Sequence, residues 1–372
     1  NFSTTLEVDT HQVYIVAVGT PLDLDLKPDM SALTDVLKEI SKVLHRGNHI
    51  MLRSTVPVGV TREIVVPYLE DKTGLNAGKD FYISFTPERT IEGNAMYELK
   101  TLPQVVGGYS SQCVKNAVEF WSTLTPTVVR VDTLEAAEMV KLANNTFRDL
   151  SFSFANELAL LADKYNVNSF DLINAANDGY PRNKIPLPSP GVGGYCLTKD
   201  PILFSCTSNG PRSDAVLGIS SRKINEKAAL YPIELIKRYS NRMQVPLSNL
   251  NILIIGVAFK GIPETADIRG SVAIDVLNKL NGCVNNVFGW DAVIDSKNLK
   301  EIGFNILDDL DSIVDCVDVV LILNNHPNNA CSSIYIPPKN NRLVFDGWNQ
   351  IDRSEIEKTV GMTYATMGYV TP

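Results

Sequence analysis

Short apolar runs alternate with helix-like stretches in the first and the last third of the chain. The runs are VYIVAVG at 13–19, HIMLRST at 49–55, FYISFTP at 81–87, QVVGGY at 104–109, TVVRV at 127–131, LNILIIGVAFKG at 250–261, NNVFGWD at 285–291, DVVLILNN at 318–325 and RLVFDGWN at 342–349. Continuous apolar runs are typical of strands buried on both faces. Their alternation with helices predicts two Rossmann-like, doubly wound α/β domains with parallel sheets.

The middle of the chain has a different pattern. Residues 133–165 carry apolar side chains at helical spacing, a capping threonine at Thr133, and no proline or glycine. This pattern predicts one helix longer than usual in globular proteins, serving as a domain spine or as a dimer interface. We therefore expect three domains: 1–132, a long-helix central domain over 133–240, and 241–372.

Composition narrows the function classes. Of 372 residues, 44% are hydrophobic and 20% are charged, and the net charge is -8. This balance excludes general disorder, and the acidic charge argues against nucleic acid or a membrane surface as partner. No apolar run is long enough to span a membrane. The six cysteines and four histidines show no zinc-type spacing, which predicts no metal site and reduced thiols in the cytoplasm.

The segment PSPGVGGYCLTKDP at 188–201 holds the most informative cluster. Its glycines, Gly191 and Gly193 among them, permit close approach of the backbone to a ligand. Cys196 follows, with Lys199 and Asp200 three and four residues later. A nearby cation favours the nucleophilic thiolate, and Asp200 could orient a base or a water. The alternative is a glycine- and proline-rich turn with a buried structural cysteine.

Lys141 and Asn145 are four residues apart on the predicted long helix. Side chains at this spacing share one helix face. A lysine and an amide aimed at one point could stabilise an oxyanion. A solvated helix face is the alternative.

Polar groups also follow the predicted strands. Thr20-Pro21, Thr55 and Glu88 each come after a strand of the first domain. Ligands of doubly wound sheets bind at the carboxyl ends of strands. In the last domain, the turn containing Phe259 and Lys260 is of a kind that cradles phosphate, although an ordinary turn would look similar.

Together these segments identify the chain as similar to the UDP-glucose/GDP-mannose (nucleotide-sugar) dehydrogenase family. The most specific part is PGVGGYCLTKDP, with KLANN upstream and GVAFKG downstream. The resemblance implies NAD as cofactor and a four-electron oxidation of a sugar C6 alcohol to a carboxylate. It implies that Cys196 is the nucleophile, that Lys141 and Asn145 stabilise oxyanions, and that Asp200 and Glu88 handle protons and water.

The resemblance also implies binding roles. Thr55 would contact the reacting region through water and lie beside the cofactor. The other implied cofactor residues are Thr20, Pro21, Glu92, Lys199 and Arg269. The implied substrate residues are Arg182, Leu187, Gly191, Gly193, Phe259 and Lys260, with Arg182 reaching across a homodimer or a larger homo-oligomer.

Two features depart from the family. No GxGxxG occurs in the chain, and only about twelve residues precede Val13, fewer than the roughly 30 that a βαβ unit needs. We therefore expect the pyrophosphate cradle to be absent, through a missing segment or a natural truncation, and NAD binding by this chain to be weak. Trp348 stands where many relatives carry a substrate-binding arginine.

Three functions stay open at this point. The pattern around 180–194 favours a UDP-N-acetylhexosamine, UDP-N-acetylmannosamine before UDP-N-acetylglucosamine or UDP-glucose. A non-catalytic nucleotide-sugar-binding scaffold would explain the missing GxGxxG, but it would not need Cys196. A two-electron dehydrogenase using Lys141 alone is the third.

Overall fold

The computed structural model describes residues 12–211, 215–307, 310 and 316–371. Packing divides the chain into two compact units. Unit 1 comprises Asn1–Phe147 and Lys199–Ile219, and unit 2 comprises Arg148–Thr198 and Ser220–Pro372. The three predicted domain ranges stay a prediction.

Unit 1 is built on a sheet that, within the described residues, has five strands in the order β1-β2-β3-β4-β5. The strands are β1 Val13–Val16, β2 His49–Leu52, β3 Tyr82–Phe85, β4 Gln104–Gly108 and β5 Val128–Arg130. The pairs β1–β2, β2–β3 and β4–β5 are parallel, as the apolar runs predicted.

The pair β3–β4 is antiparallel, which corrects the expectation of a wholly parallel sheet. A parallel pair needs a crossover that packs back on the sheet. The helix between these strands, α3 at Ala95–Thr101, buries none of its residues. The chain returns without a packed crossover, so the strand direction reverses.

Helices cover the sheet of unit 1. α1 at Ser31–Val43 buries Leu33, Leu37 and Ile40, which lie on one helix face. These side chains join the core formed by the strands. The remaining elements are the π-helical turn Thr61–Val65, α2 Val66–Thr73, α3 as above and α4 Ser111–Trp121.

Helix α5 spans Leu134–Asp163, close to the predicted 133–165. The hydroxyl of Thr133 accepts the Ala136 amide at 3.0 Å, so the predicted cap is present. Further along come α6 Ser169–Asn177, α7 Tyr195–Phe204, the strands β6 Cys206–Thr207 and β7 Gly210–Pro211, α8 Val216–Ala229 and α9 Tyr231–Met243. The antiparallel pair β6–β7 forms a short hairpin between α7 and α8.

The sheet of unit 2 shows six strands in its described part, in the order β13-β12-β11-β10-β8-β9. They are β8 Asn251–Ile255, β9 Asn286–Trp290, β10 Val319–Ile322, β11 Arg342–Asp346, β12 Met362–Thr366 and β13 Tyr369–Val370, with helices α10 Val272–Leu280, α11 Ser296–Ile302 and α12 Arg353–Lys358. All pairs except β12–β13 are parallel. The doubly wound α/β architecture is therefore confirmed.

A buried carboxylate fastens the turn after β2 to helix α5. Glu138, which is 1% exposed, accepts the Gly59 amide at 2.7 Å and the Thr61 amide at 2.9 Å. It also accepts the Thr61 hydroxyl at 2.5 Å. Burial raises the pKa of Glu138 to about 7, although these three hydrogen bonds favour the charged form. The turn that begins at Thr55 is thus tied to the helix that carries Lys141.

Glu138→Gln is expected to flatten the pH dependence of stability between pH 4.5 and about 7. In this window the folded chain keeps a proton on Glu138 that the unfolded chain has released. The free energy of unfolding therefore falls as pH rises, by on the order of 3 kcal/mol at most, and the variant lacks this fall. Urea unfolding of both proteins at pH 5 and pH 8 measures the difference. An equal fall in both would contradict the assignment.

Candidate active site

The carboxyl ends of β1 and β2 meet at one edge of the unit 1 sheet. There the buried Thr20 hydroxyl donates to the backbone carbonyl of Thr55. Thr55 is half-buried, whereas Pro21 and Glu92 are exposed. The Thr86 hydroxyl, at the end of β3, is buried without a hydrogen-bond partner among the described residues. Unsatisfied and accessible polar groups at this edge fit a dinucleotide, which doubly wound sheets bind here.

Glu88 is held by a buried arginine that the sequence analysis missed. Arg53 donates to the Glu88 carboxylate and, at 3.0 Å, to the Gln104 side chain. Its guanidinium lies 4.5 Å from the centre of the Trp121 ring. Burial pushes the pKa of Glu88 upward, but the hydrogen bond and charge of Arg53 outweigh it, and the pKa lies below its ordinary value. Glu88 is therefore an anion with a fixed orientation.

The position of Arg53 in the sequence could have indicated that it needs an anionic partner. Arg53 directly follows the buried strand β2, and a buried guanidinium requires an anionic partner. The sequence could not show which acidic residue is the partner of Arg53, because Glu88 is 35 residues away.

Helix α5 brings Lys141 and Asn145 to the same region of unit 1. Lys141 donates from Nζ to the backbone carbonyl of Glu88. Asn145 donates from Nδ2 to Asp200 Oδ2 at 2.6 Å. Both side chains are half-buried, so the alternative of a freely solvated helix face does not describe them.

Asp200 is fully buried on helix α7. Lys199 Nζ, itself almost inaccessible, lies 2.7 Å from Asp200 Oδ1. The sequence analysis assigned Lys199 to supporting the Cys196 thiolate. In the structure this ammonium compensates Asp200 instead, because a buried carboxylate needs a charged donor.

Cys196 is exposed, which excludes the alternative of a buried structural cysteine. It is the second residue of helix α7, one helical turn before Asp200. The first turn of a helix favours negative charge, which suits a thiolate.

In unit 2 the glycine-rich loop, residues 187–194, packs against the segments after β8. A Cβ atom on Gly193 would lie 2.3 Å from the Gly270 carbonyl, and one on Gly194 would lie 2.7 Å from the Phe259 ring. Gly191 has φ +83°, which favours glycine. Arg182 and Leu187 are exposed. The loop therefore requires glycine through its close packing.

The turn after β8 differs from the expected phosphate cradle. The amides of Val257 and Ala258 donate to the Asp291 carboxylate at 2.6 and 2.9 Å. These donors are occupied by the protein's own anion, so a phosphate contact at this turn would rely on Lys260. The Lys260 ammonium lies 5.3 Å from the centre of the Phe259 ring.

Other polar residues support this edge of unit 2. Asn325 Oδ1 accepts the Gly261 amide at 2.8 Å. Arg269 pairs with Asp267 at 2.6 Å and lies 5.0 Å from the centre of the Tyr195 ring. Trp348 donates from Nε1 to the Leu323 carbonyl at 3.0 Å. The sequence analysis missed Asn325 and Asp291, which follow β10 and β9 as polar strand ends.

The described residues contain no group of three or more histidine, cysteine, aspartate or glutamate side chains that could hold a metal ion. In the same residues, no helix is both long enough and apolar enough to cross a membrane.

Comparison with known proteins gives matches along most of the chain. Residues 1–125 match the NAD binding domain of the UDP-glucose/GDP-mannose dehydrogenase family, residues 135–227 its central domain, and residues 253–353 its UDP binding domain. These matches support NAD and a UDP-sugar as ligands.

Individual proteins similar to this chain are also nucleotide-sugar dehydrogenases. UDP-N-acetyl-D-mannosamine dehydrogenase of Pyrococcus horikoshii is 33% identical, over 96% of this chain and 81% of that protein. The structure of the Pyrococcus horikoshii UDP-D-ManNAc dehydrogenase has a TM-score of 0.85 at 32% identity, covering 96% of this chain and 81% of that chain. NDP-N-acetyl-D-galactosaminuronic acid dehydrogenase of Ralstonia solanacearum is 30% identical, over 74% of this chain and 64% of that protein. With all three domains matched, the chain belongs to the UDP-glucose/GDP-mannose dehydrogenase family of NAD-dependent nucleotide-sugar dehydrogenases.

Proposed function

We propose that the chain oxidises the C6 alcohol of UDP-N-acetylmannosamine to the carboxylate through a covalent intermediate on Cys196. The observation that carries this proposal is the arrangement of helix α7. An exposed thiol stands in its first turn, one turn before a buried carboxylate, Asp200, that Asn145 also contacts.

The proposed reaction has two oxidations. The C6 carbon first loses a hydride and its hydroxyl loses a proton, which gives an aldehyde. The Cys196 thiolate adds to the aldehyde carbon, and the resulting alkoxide takes up a proton to give a thiohemiacetal. Loss of a second hydride and a proton gives a thioester. Water then breaks the C–S bond and releases the carboxylate, the Cys196 thiolate and two protons. NAD+ supplies the hydride acceptor for both oxidations when bound.

The remaining polar residues have separate roles in this proposal. Lys141 and Asn145 donate to the oxyanion that forms at C6. Asp200 and Glu88 accept protons and orient the hydrolytic water. The ion pair with Arg53 keeps Glu88 charged and able to accept a hydrogen bond. Thr55 contacts the reacting region through water.

The binding residues follow the sequence predictions. We propose that the cofactor is bound by Thr20, Pro21, Thr55, Glu92, Lys199 and Arg269. For the nucleotide-sugar we propose Arg182, Leu187, Gly191, Gly193, Phe259 and Lys260. Trp348 is bonded to a backbone carbonyl, so we propose no charged sugar contact at that position. The free cysteines support a reducing compartment, the cytoplasm.

UDP-N-acetylmannosamine is expected to bind at least tenfold more tightly than UDP-N-acetylglucosamine, UDP-glucose or GDP-mannose, a difference of about 1.4 kcal/mol. The similarity of this chain to the Pyrococcus horikoshii UDP-N-acetyl-D-mannosamine dehydrogenase supports this choice. Calorimetry with each nucleotide-sugar measures the preference, and UDP-N-acetylgalactosamine belongs in the series because of the Ralstonia relative. Tighter binding of any other sugar would contradict the assignment. A chain that binds a sugar but forms no NADH would support the scaffold alternative.

Cys196→Ala is expected to reduce carboxylate formation by at least about a thousandfold, because no thioester can form. The matched control is Cys283→Ala, since Cys283 is also exposed and lies in the same unit. It should keep wild-type activity. Carboxylate is quantified by mass spectrometry of the product sugar. Unchanged carboxylate formation by Cys196→Ala would contradict the covalent role of Cys196. A final product at the aldehyde level, formed equally by the wild type and Cys196→Ala, would favour the two-electron dehydrogenase instead.

We also propose a homodimer through helix α5. In unit 2 this helix exposes Phe154 and Leu161, seven residues apart, and Tyr165 follows beyond its end. Large exposed apolar side chains at heptad spacing are typical of helix–helix interfaces. Sedimentation should give twice the mass of one chain, and Phe154→Asp should give one chain mass. A wild-type monomer at micromolar concentration would contradict the proposal.

A further inference from the structure

A buried polar network lies beneath the glycine-rich loop, entirely within unit 2. Its centre is the carboxylate of Asp149 on helix α5, which is fully inaccessible. Three residues of helix α8 donate to it: Ser221 at 2.7 Å, Arg222 at 2.7 Å and Asn225 at 2.8 Å. A charge buried this deeply is tolerated only when it is paired and hydrogen-bonded. We call these four residues, together with Asn156, the Asp149 network.

Two members of the network, Asn156 and Arg222, contact the backbone of the loop. Asn156 donates to Asn225 at 2.9 Å and accepts the Ser189 amide at 2.8 Å. Arg222 donates from the same Nη1 atom to Asp149 and, at 3.3 Å, to the Val192 carbonyl. The two contacts lie on either side of Gly191, so the network holds the loop at two points three residues apart.

The loop also has hydrogen bonds of its own, among them one from the Ser189 hydroxyl to the Gly191 carbonyl at 2.8 Å. Ser189 and Gly191 form an internal turn, with the Gly191 amide 2.7 Å from the Ser189 carbonyl. Glycine-containing backbone loses much entropy when it is ordered. A loop that is already ordered by its own protein binds a ligand without that cost.

We propose that Asn156 and Arg222 are positioning residues that hold the glycine-rich loop in the conformation that binds the nucleotide-sugar. They touch the loop backbone and act through it. The inference rests on the proposed function, because it assigns the loop to the substrate.

Asn156→Ala tests the inference with two readouts on the full chain. Amide hydrogen exchange over residues 186–194 should become at least about tenfold faster, because the Ser189 amide loses its acceptor. The Kd for UDP-N-acetylmannosamine should rise about tenfold, while the KM for NAD+ should change less than about twofold. The reason is that the loop is assigned to binding the nucleotide-sugar and not the cofactor. Saturating UDP-N-acetylmannosamine should restore slow exchange.

Tyr231→Phe is the matched control. It also removes a hydrogen bond of unit 2, the partly buried one from Tyr231 to Asp163 at 2.8 Å, and this bond does not involve the loop. Its loop exchange and Kd should equal those of the wild type. Arg222→Lys provides a milder variant that keeps the charge beside Asp149, and its Kd should rise about threefold.

The outcomes separate the two proposals. Wild-type exchange and Kd in both Asn156→Ala and Arg222→Lys would overturn the positioning role while the proposed function stands. Equal losses in Tyr231→Phe would also overturn it, because general destabilisation would then explain the effect. Failure of the wild-type chain to bind any UDP-sugar would overturn the proposed function and this inference with it.

Discussion

The carboxylate of Asp200 is fully inaccessible to water, and this burial constrains the side chains around it in unit 1. An isolated buried charge would cost several kcal/mol. Lys199 from the same helix and Asn145 from helix α5 supply the compensating donors. Within unit 1, the hydrogen bond from Asn145 to Asp200 therefore joins helix α5 to helix α7.

Helix α5 distributes polar side chains to each unit. Within unit 1, Glu138 holds the turn after β2 and Lys141 contacts the carbonyl of Glu88. Within unit 2, Asp149 and Asn156 support the glycine-rich loop. The helix has thirty residues, which corresponds to a length of about 45 Å. The length that marked this segment in the sequence is therefore explained by the number of polar groups it positions.

The sequence predicted what depends on local pattern. The apolar runs gave the strands, the helical spacing placed α5 to within two residues, and the exposed thiol lies in the segment singled out for chemistry. Contacts between distant segments could not be predicted. The antiparallel β3–β4 pair depends on a helix that does not pack, the Glu88 partner lies 35 residues away, and Asp291 occupies amides that appeared free. In each of these cases the partner is determined by contacts in the folded chain between segments that are far apart in the sequence.

We propose that one active site carries the alcohol through two oxidations. The most direct measurement is the ratio of NADH formed to UDP-N-acetylmannosamine consumed, followed to completion with excess NAD+. We expect two NADH for each sugar, one carboxylate product, and no released aldehyde. One NADH for each sugar, with an aldehyde or ketone as the final product, would contradict it.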